Sequence, residues 1–100
     1  MFVILWEFEV KPGCEKPFED SYGPDGDWAM FFRRDTHYRE TRLLRDAVRS
    51  DRYVTVDFWD SREAYENFRR DNREEYHALD ASFESLTVRE THLGSFVSVA

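Results

Sequence analysis

Asp57 is the ionisable residue whose surroundings could give it chemistry. It stands in Tyr53-Val-Thr-Val-Asp-Phe-Trp59, a run of β-branched and aromatic side chains. A carboxylate held among rings loses hydration, so its pKa rises and it can take a proton near neutral pH. Tyr65 follows with a hydroxyl donor, and Trp59 offers a ring on which a planar molecule can stack. The same carboxylate has a plainer reading, a cross-strand ion pair with Arg42 or Arg45. His37, His77 and His92 are scattered, and none stands at metal-ligand spacing with another His or Cys, so no metal site is expected. His77 shares a helical surface with Glu74 and Asp80, the pattern of a solvated face. Cys14, the single cysteine, lies on an apolar stripe and reads as a small buried hydrophobe with no disulfide partner.

These residues need a strand and a helix to hold them. Tyr53 to Trp59 has the composition of a half-buried strand. Asp60 with Glu63 three residues on is a helix-start signal, and Ala64, Tyr65 and Phe68 recur at helical spacing. By period two, Tyr53, Thr55, Asp57 and Trp59 share one face of that strand, with Val54, Val56 and Phe58 on the other. The first strand, Phe2 to Val10, puts Phe2, Ile4, Trp6, Phe8 and Val10 on one face and Val3, Leu5, Glu7 and Glu9 on the other. Pro12-Gly13 ends it. A helix should then run to about Tyr22, with Cys14, Phe18 and Tyr22 as its stripe. Gly23-Pro24-Asp25-Gly26 breaks it. Asp27 is expected to cap a second piece, in which Trp28, Phe31 and Phe32 share a face. His37 to Asp46 reads as a polar edge strand, blunted by Arg39, Arg42 and Arg45. The helix from Ser61 should weaken near Asn72 and resume with Tyr76, Leu79 and Phe83. Leu86 to about Val97 is the last strand, with Gly94 at a bulge or bend.

The order is strand, helix, strand, strand, helix, strand. It predicts one α+β domain over residues 1–100, a ferredoxin-like βαββαβ with a four-stranded antiparallel sheet and helices on one face. Right-handed crossovers place the first and third strands at its centre. Both faces of those strands carry apolar residues, and the helices can cover only one. Val3, Leu5, Val54, Val56 and Phe58 would lie bare in a monomer, which predicts a homodimer packed sheet against sheet.

Aromatics make up 17% of the chain, so the core is expected to be built from rings. A formal charge of -7 argues against nucleic acid and against anionic membrane surfaces as partners. No apolar segment approaches the roughly 20 residues that span a bilayer. The Met1–Trp6 segment lacks basic residues and reads as a strand rather than a signal peptide. A cytoplasmic protein is expected.

Three pieces carry a family resemblance: the opening strand-Pro-Gly-helix, Gly-Pro-Asp-Gly-Asp-Trp over residues 23–28, and Asp-Phe-Trp-Asp-Ser-Arg-Glu-Ala-Tyr over residues 57–65. Together they resemble the antibiotic biosynthesis monooxygenase superfamily of dimeric α+β barrels, over nearly the whole chain. The resemblance implies cofactor-independent oxidation of a small electron-rich aromatic or quinone-like molecule, in a pocket between sheet and helices. In its oxygenases a tryptophan at this strand end and a tyrosine six residues later line that pocket, and Trp59 and Tyr65 match them. Asp57, Tyr65 and Trp59 are then the expected catalytic residues. Trp6, Trp28, Phe32, Tyr53 and Thr55 are the expected substrate contacts. Thr55 stands where an asparagine is often found. The haem-degrading branch has a histidine where this chain has Arg70, and an asparagine near the place of Trp6, so neither haem nor any other cofactor is expected. Two other readings stay open: a non-catalytic dimer that binds a small apolar molecule or serves as an accessory module, and rings that merely fill the core.

Overall fold

Alternation along the central strands divides the molecule into a sealed side and an open side. The computed structural model describes residues 1–100. Its elements are β1 (Phe2–Val10), α1 (Glu15–Tyr22), α2 (Asp27–Phe32), β2 (Tyr38–Arg45), β3 (Arg52–Trp59), α3 (Arg62–Asp71), α4 (Arg73–Phe83) and β4 (Thr87–Val97), with a 3-10 turn at Glu84–Leu86 before the last strand. The four strands form one antiparallel sheet in the order β2-β3-β1-β4, so the first and third strands are central as expected. Phe2, Ile4, Phe8 and Val10 of β1 are buried with Tyr53, Thr55 and Trp59 of β3, beneath the helices. Val3, Leu5, Val54, Val56 and Phe58 occupy the opposite face and are only half-buried.

Close backbone contact makes the first crossover bend. A Cβ on Gly26 would fall 2.6 Å from the backbone oxygens of Asp20 and Ser21, so only glycine lets α2 fold back on α1. Gly26, not Asp27, is the residue preceding α2, and no side chain caps it. The start of α3 also differs from expectation. Asp60 N–H still donates to the His37 carbonyl at 2.9 Å, so Asp60 belongs to the sheet edge. The capping role passes to Ser61, whose Oγ accepts from Ala64 N–H at 3.1 Å. The Asp60 carboxylate is taken instead by Arg39, through Nε at 2.5 Å and a terminal nitrogen at 2.8 Å, with His37 Nδ1 at 3.2 Å.

Asn72 separates α3 from α4, and its side-chain N–H donates to the Phe68 carbonyl at 2.9 Å. Beyond it, α4 buries no residue fully. On β4 only Thr87 is buried, and Val88, Leu93, Phe96 and Val97 are exposed. The β1–β4 register steps from Leu5↔Gly94 to Trp6↔His92, so Leu93 is the bulged residue, and Gly94 beside it takes a φ of +152°. The helical layer therefore covers β2, β3 and most of β1, and stops short of β4. No helix is long and apolar enough to cross a membrane.

Candidate active site

Four residues of β3 face the helices, and their fates differ with position along the strand. At one end Tyr53, 1% exposed, packs on Phe18 of α1 with ring centroids 4.9 Å apart. Its hydroxyl donates to Glu19 and accepts from Arg45. At the other end Trp59, 0% exposed, is enclosed by Phe32, Tyr38, Tyr65 and Phe68, all with centroids 5.4–5.6 Å away. Only the middle pair, Thr55 and Asp57, opens into a cavity.

That cavity measures about 230 Å³, just below the roughly 300–1,000 Å³ usual for small-molecule sites. Every strand and helix contributes to its wall. Trp6 and Phe8 come from β1, Tyr22 from α1, Trp28 and Phe32 from α2, Thr41 from β2, Tyr65 and Arg69 from α3, Tyr76, His77 and Asp80 from α4, and Glu90 from β4. Of the expected site residues, Asp57, Tyr65, Trp6, Trp28, Phe32 and Thr55 line it. Trp59 and Tyr53 do not. They are core, because α1 closes over one end of the strand while α2, α3 and Tyr38 close over the other. Trp59 supports the site from behind, as the ring against which Tyr65 and Phe32 stand edge-on.

Asp57 has no cation beside it. The expected alternative of a pair with Arg42 or Arg45 is not formed: Arg42 bonds Glu40, and Arg45 bonds Tyr53 and Glu19. Burial pushes the Asp57 carboxyl up to about 6, opposed only by the hydrogen bond from Thr41. Thr41 Oγ1 donates to Asp57 Oδ1 at 2.5 Å and lies 2.7 Å from the Tyr38 hydroxyl. A threonine has one hydroxyl proton, so Tyr38 must donate to Thr41 while Thr41 donates to Asp57. This relay fixes one carboxylate oxygen and leaves the rest of the group to the cavity.

Opposite stands a tyrosine pair under a cation. The Arg69 guanidinium lies 4.2 Å from the centre of the Tyr76 ring and 5.9 Å from that of Tyr65, and it donates to the Tyr65 hydroxyl at 3.5 Å. Burial raises the pKa of both tyrosines, so both hold their protons and can donate. The negative charge of Asp57 adds to the rise at Tyr65, which places the two groups within electrostatic reach. Two further donors are free. Thr55 is buried, and its hydroxyl makes no hydrogen bond within the protein. The Trp28 indole N–H is buried without an acceptor, and the Tyr22 hydroxyl lies near it outside bonding geometry. At the other side Glu90 is pushed up by burial and by the Asp80 carboxylate.

Arg69, Tyr76, His77 and Asp80 were missed as site residues from the sequence. Tyr65, Arg69, Tyr76 and Asp80 recur at helical spacing across the Asn72 break, a signal that could have been extended past it. His77, read as part of a solvated face with Asp80, lines the cavity with it. No group of three or more His, Cys, Asp or Glu side chains is gathered at metal-binding distance.

The sequence pattern described as antibiotic biosynthesis monooxygenase matches residues 1–81. Among solved structures, the cofactor-independent oxygenase SnoaB from Streptomyces nogalater is similar at 20% identity and a TM-score of 0.80, over 99% of this chain and 93% of that one. A protein of Deinococcus radiodurans assigned to the antibiotic biosynthesis monooxygenases is 8% identical with a TM-score of 0.79, over 100% and 94% of the two chains. One of Nitrosomonas europaea, assigned likewise, is 12% identical with a TM-score of 0.72 over the whole of both. At these identities the likeness establishes the fold. No curated protein matches the chain.

Proposed function

The chain belongs to the antibiotic biosynthesis monooxygenase family, and from that premise we propose that it is a cytoplasmic, homodimeric oxygenase that uses no cofactor and acts on a small electron-rich aromatic or quinone-like molecule. The observation that carries this reading is Asp57, a carboxylate without a cation, pushed up to about 6 at the wall of an aromatic cavity. At pH 7 it is mostly ionised and basic enough to take a proton from an activated phenol or enol. Trp6, Trp28 and Phe32 stack the ring system, and Tyr65 donates to the oxygen that gains charge.

The substrate supplies every electron. Its proton passes to Asp57, and the carbanion transfers one electron to dioxygen. The radical pair combines into a carbon–oxygen bond, and the peroxide regains the proton from Asp57. Asp57 then removes the remaining hydrogen on that carbon as the O–O bond breaks, and passes this proton to the departing hydroxide, which leaves as water. A ring methylene becoming a carbonyl gives up four electrons, and one dioxygen takes all four, as one carbonyl oxygen and one water. Asp57 acts in turn as base, acid, base and acid, and returns to its starting state, a role served by a pKa near the working pH.

Oxygen uptake with anthrone or a naphthol, in buffer containing a metal chelator, tests the reaction. Asp57→Asn is expected to slow it by about 10²–10⁴-fold, and the wild-type rate is expected to fall as pH drops through about 6. Saturable binding of these compounds without uptake above the uncatalysed rate would replace this reading with that of a non-catalytic small-molecule binder. The homodimer rests on the half-buried apolar face of Val3, Leu5, Val54, Val56 and Phe58 and on the exposed edge strand β4. Light scattering at micromolar concentration is expected to give twice the chain mass, with Val56→Glu reducing it to one or unfolding the protein.

A further inference from the structure

Fourteen lysines and arginines serve a chain of net charge -7, and most have a carboxylate within ion-pair distance. Five do not: Lys11, Arg62, Arg69, Arg73 and Arg89. Three of those five, Arg62, Arg69 and Arg73, line a single groove. Arg70 joins them, paired only with its chain neighbour Asp71 at 3.3 Å. In so acidic a protein, unpaired cations would be expected to scatter, since each finds a carboxylate nearby. Their convergence has a local cause. Positions 62, 69, 70 and 73 fall on one face of α3 and its continuation into α4, and the only carboxylate lining the groove with them, Glu66, forms no ion pair with any of them.

The groove is open, about 850 Å³, and lies where the helical layer stops short of β4, with His92 and Ser95 as its far wall. It runs into the cavity described above, because Trp6, Tyr65, Arg69 and His77 line both. It stands on the helical side of the sheet, opposite the apolar face that would pair with a second copy, so dimerisation sheet against sheet leaves it free.

We infer that this groove is a second subsite, which holds an anionic arm, a carboxylate or a phosphate, of the molecule whose aromatic part enters the cavity. The inference rests on the small-molecule reading of that cavity. Arg69 sits at the junction, with its face on the Tyr76 ring and one N–H on the Tyr65 hydroxyl, and its remaining N–H groups are free for an anion. Arg62 and Arg73 supply further forks along the groove, a geometry suited to planar oxyanions.

The test compares 2-naphthoate, 2-naphthyl phosphate and the neutral 2-naphthamide, by saturable quenching of tryptophan fluorescence. The anions are expected to bind about tenfold tighter than the amide, as charge-assisted hydrogen bonds allow. The advantage should vanish in the double variant Arg62→Gln, Arg73→Gln, whose exposed positions leave the core intact. Raising salt in the wild-type protein should remove it as well, without recourse to any variant. Whichever anion binds tighter names the group the groove prefers. Equal affinity for acid, phosphate and amide in the wild type would overturn the subsite while leaving the cavity standing. No saturable quenching by any of the three would instead remove the cavity reading, and the subsite with it.

Discussion

Trp59 and Trp6 point to the same side of one sheet from neighbouring central strands. Trp59 is 0% exposed inside a cage of four rings. Trp6 is half-buried, lies over His92 at 5.0 Å, and lines both the cavity and the groove beside it. Residue type, strand period and facing direction do not separate them. What differs is the cover above. Trp59 lies opposite Phe2 and Tyr38 in the sheet, where α2 and α3 are packed down. Trp6 lies between Thr55 and His92, where the helical layer ends. A large ring becomes a binding surface where the second layer runs out, and core where it does not.

Breaking the packed end should cost most. Trp59→Ala is expected to lose about 3–5 kcal/mol of stability, read from denaturant midpoints. Trp59→Phe keeps most of the packing, and it should leave saturable quenching by a planar aromatic in place, since the responding tryptophans are Trp6 and Trp28. Loss of quenching in Trp59→Phe would erase the distinction between the two sites.

The middle of β3 gives the next effect, and its sign depends on pH. Asp57 titrates near 6 when folded and near the ordinary value of about 4 when unfolded. Below about pH 4 both states carry the protonated acid, and its contribution to stability is fully present. As pH rises through 6 the folded state must hold a buried charge, and that contribution is lost. Asp57→Asn should therefore be more stable than wild type by roughly 2–3 kcal/mol at pH 8, the value of a two-unit shift. The difference should disappear below pH 4. Urea midpoints at the two pH values measure it, and a constant difference would mean that Asp57 is solvated.

Ser61 sharpens the comparison from the helix side, because its cap sets where α3 starts and hence where Tyr65 and Arg69 stand. Ser61→Ala should cost about 1 kcal/mol and loosen the Trp6 side, where no ring cage holds the helix. A stability effect no larger is expected at Trp6 itself. Trp6→Ala should cost roughly 1 kcal/mol yet weaken binding of a planar ligand more than any change at Trp59 that preserves folding. Calorimetric titration beside thermal melting separates the two quantities.

Much of the fold was legible because it follows from local periodicity. The inward set on each strand and the break at Asn72 come from spacing that a single segment carries, and the central place of β1 and β3 follows from the order of elements and the hand of the crossovers. The two cap assignments at Asp60 and Asp27 failed for a local reason of another kind. Both positions precede a helix, but Asp60 is still tied to His37 across the sheet edge, and the approach of α2 to α1 requires Gly26 at the turn.

The candidate site divides differently. The sequence by itself determined that Asp57, Thr55, Tyr53 and Trp59 share a face, because the strand repeat is two. It also determined that Asp57 has aromatic neighbours, since they adjoin it in the chain. Only the tertiary structure decided that the middle two residues open to a cavity while the outer two are sealed. That depends on where α1, α2 and α3 come down on the sheet. The same is true of Arg69, Tyr76, His77 and Glu90, which reach the site from elements packed across it. Side-chain direction along one strand is a property of covalent geometry, and cover is a property of everything that packs above it.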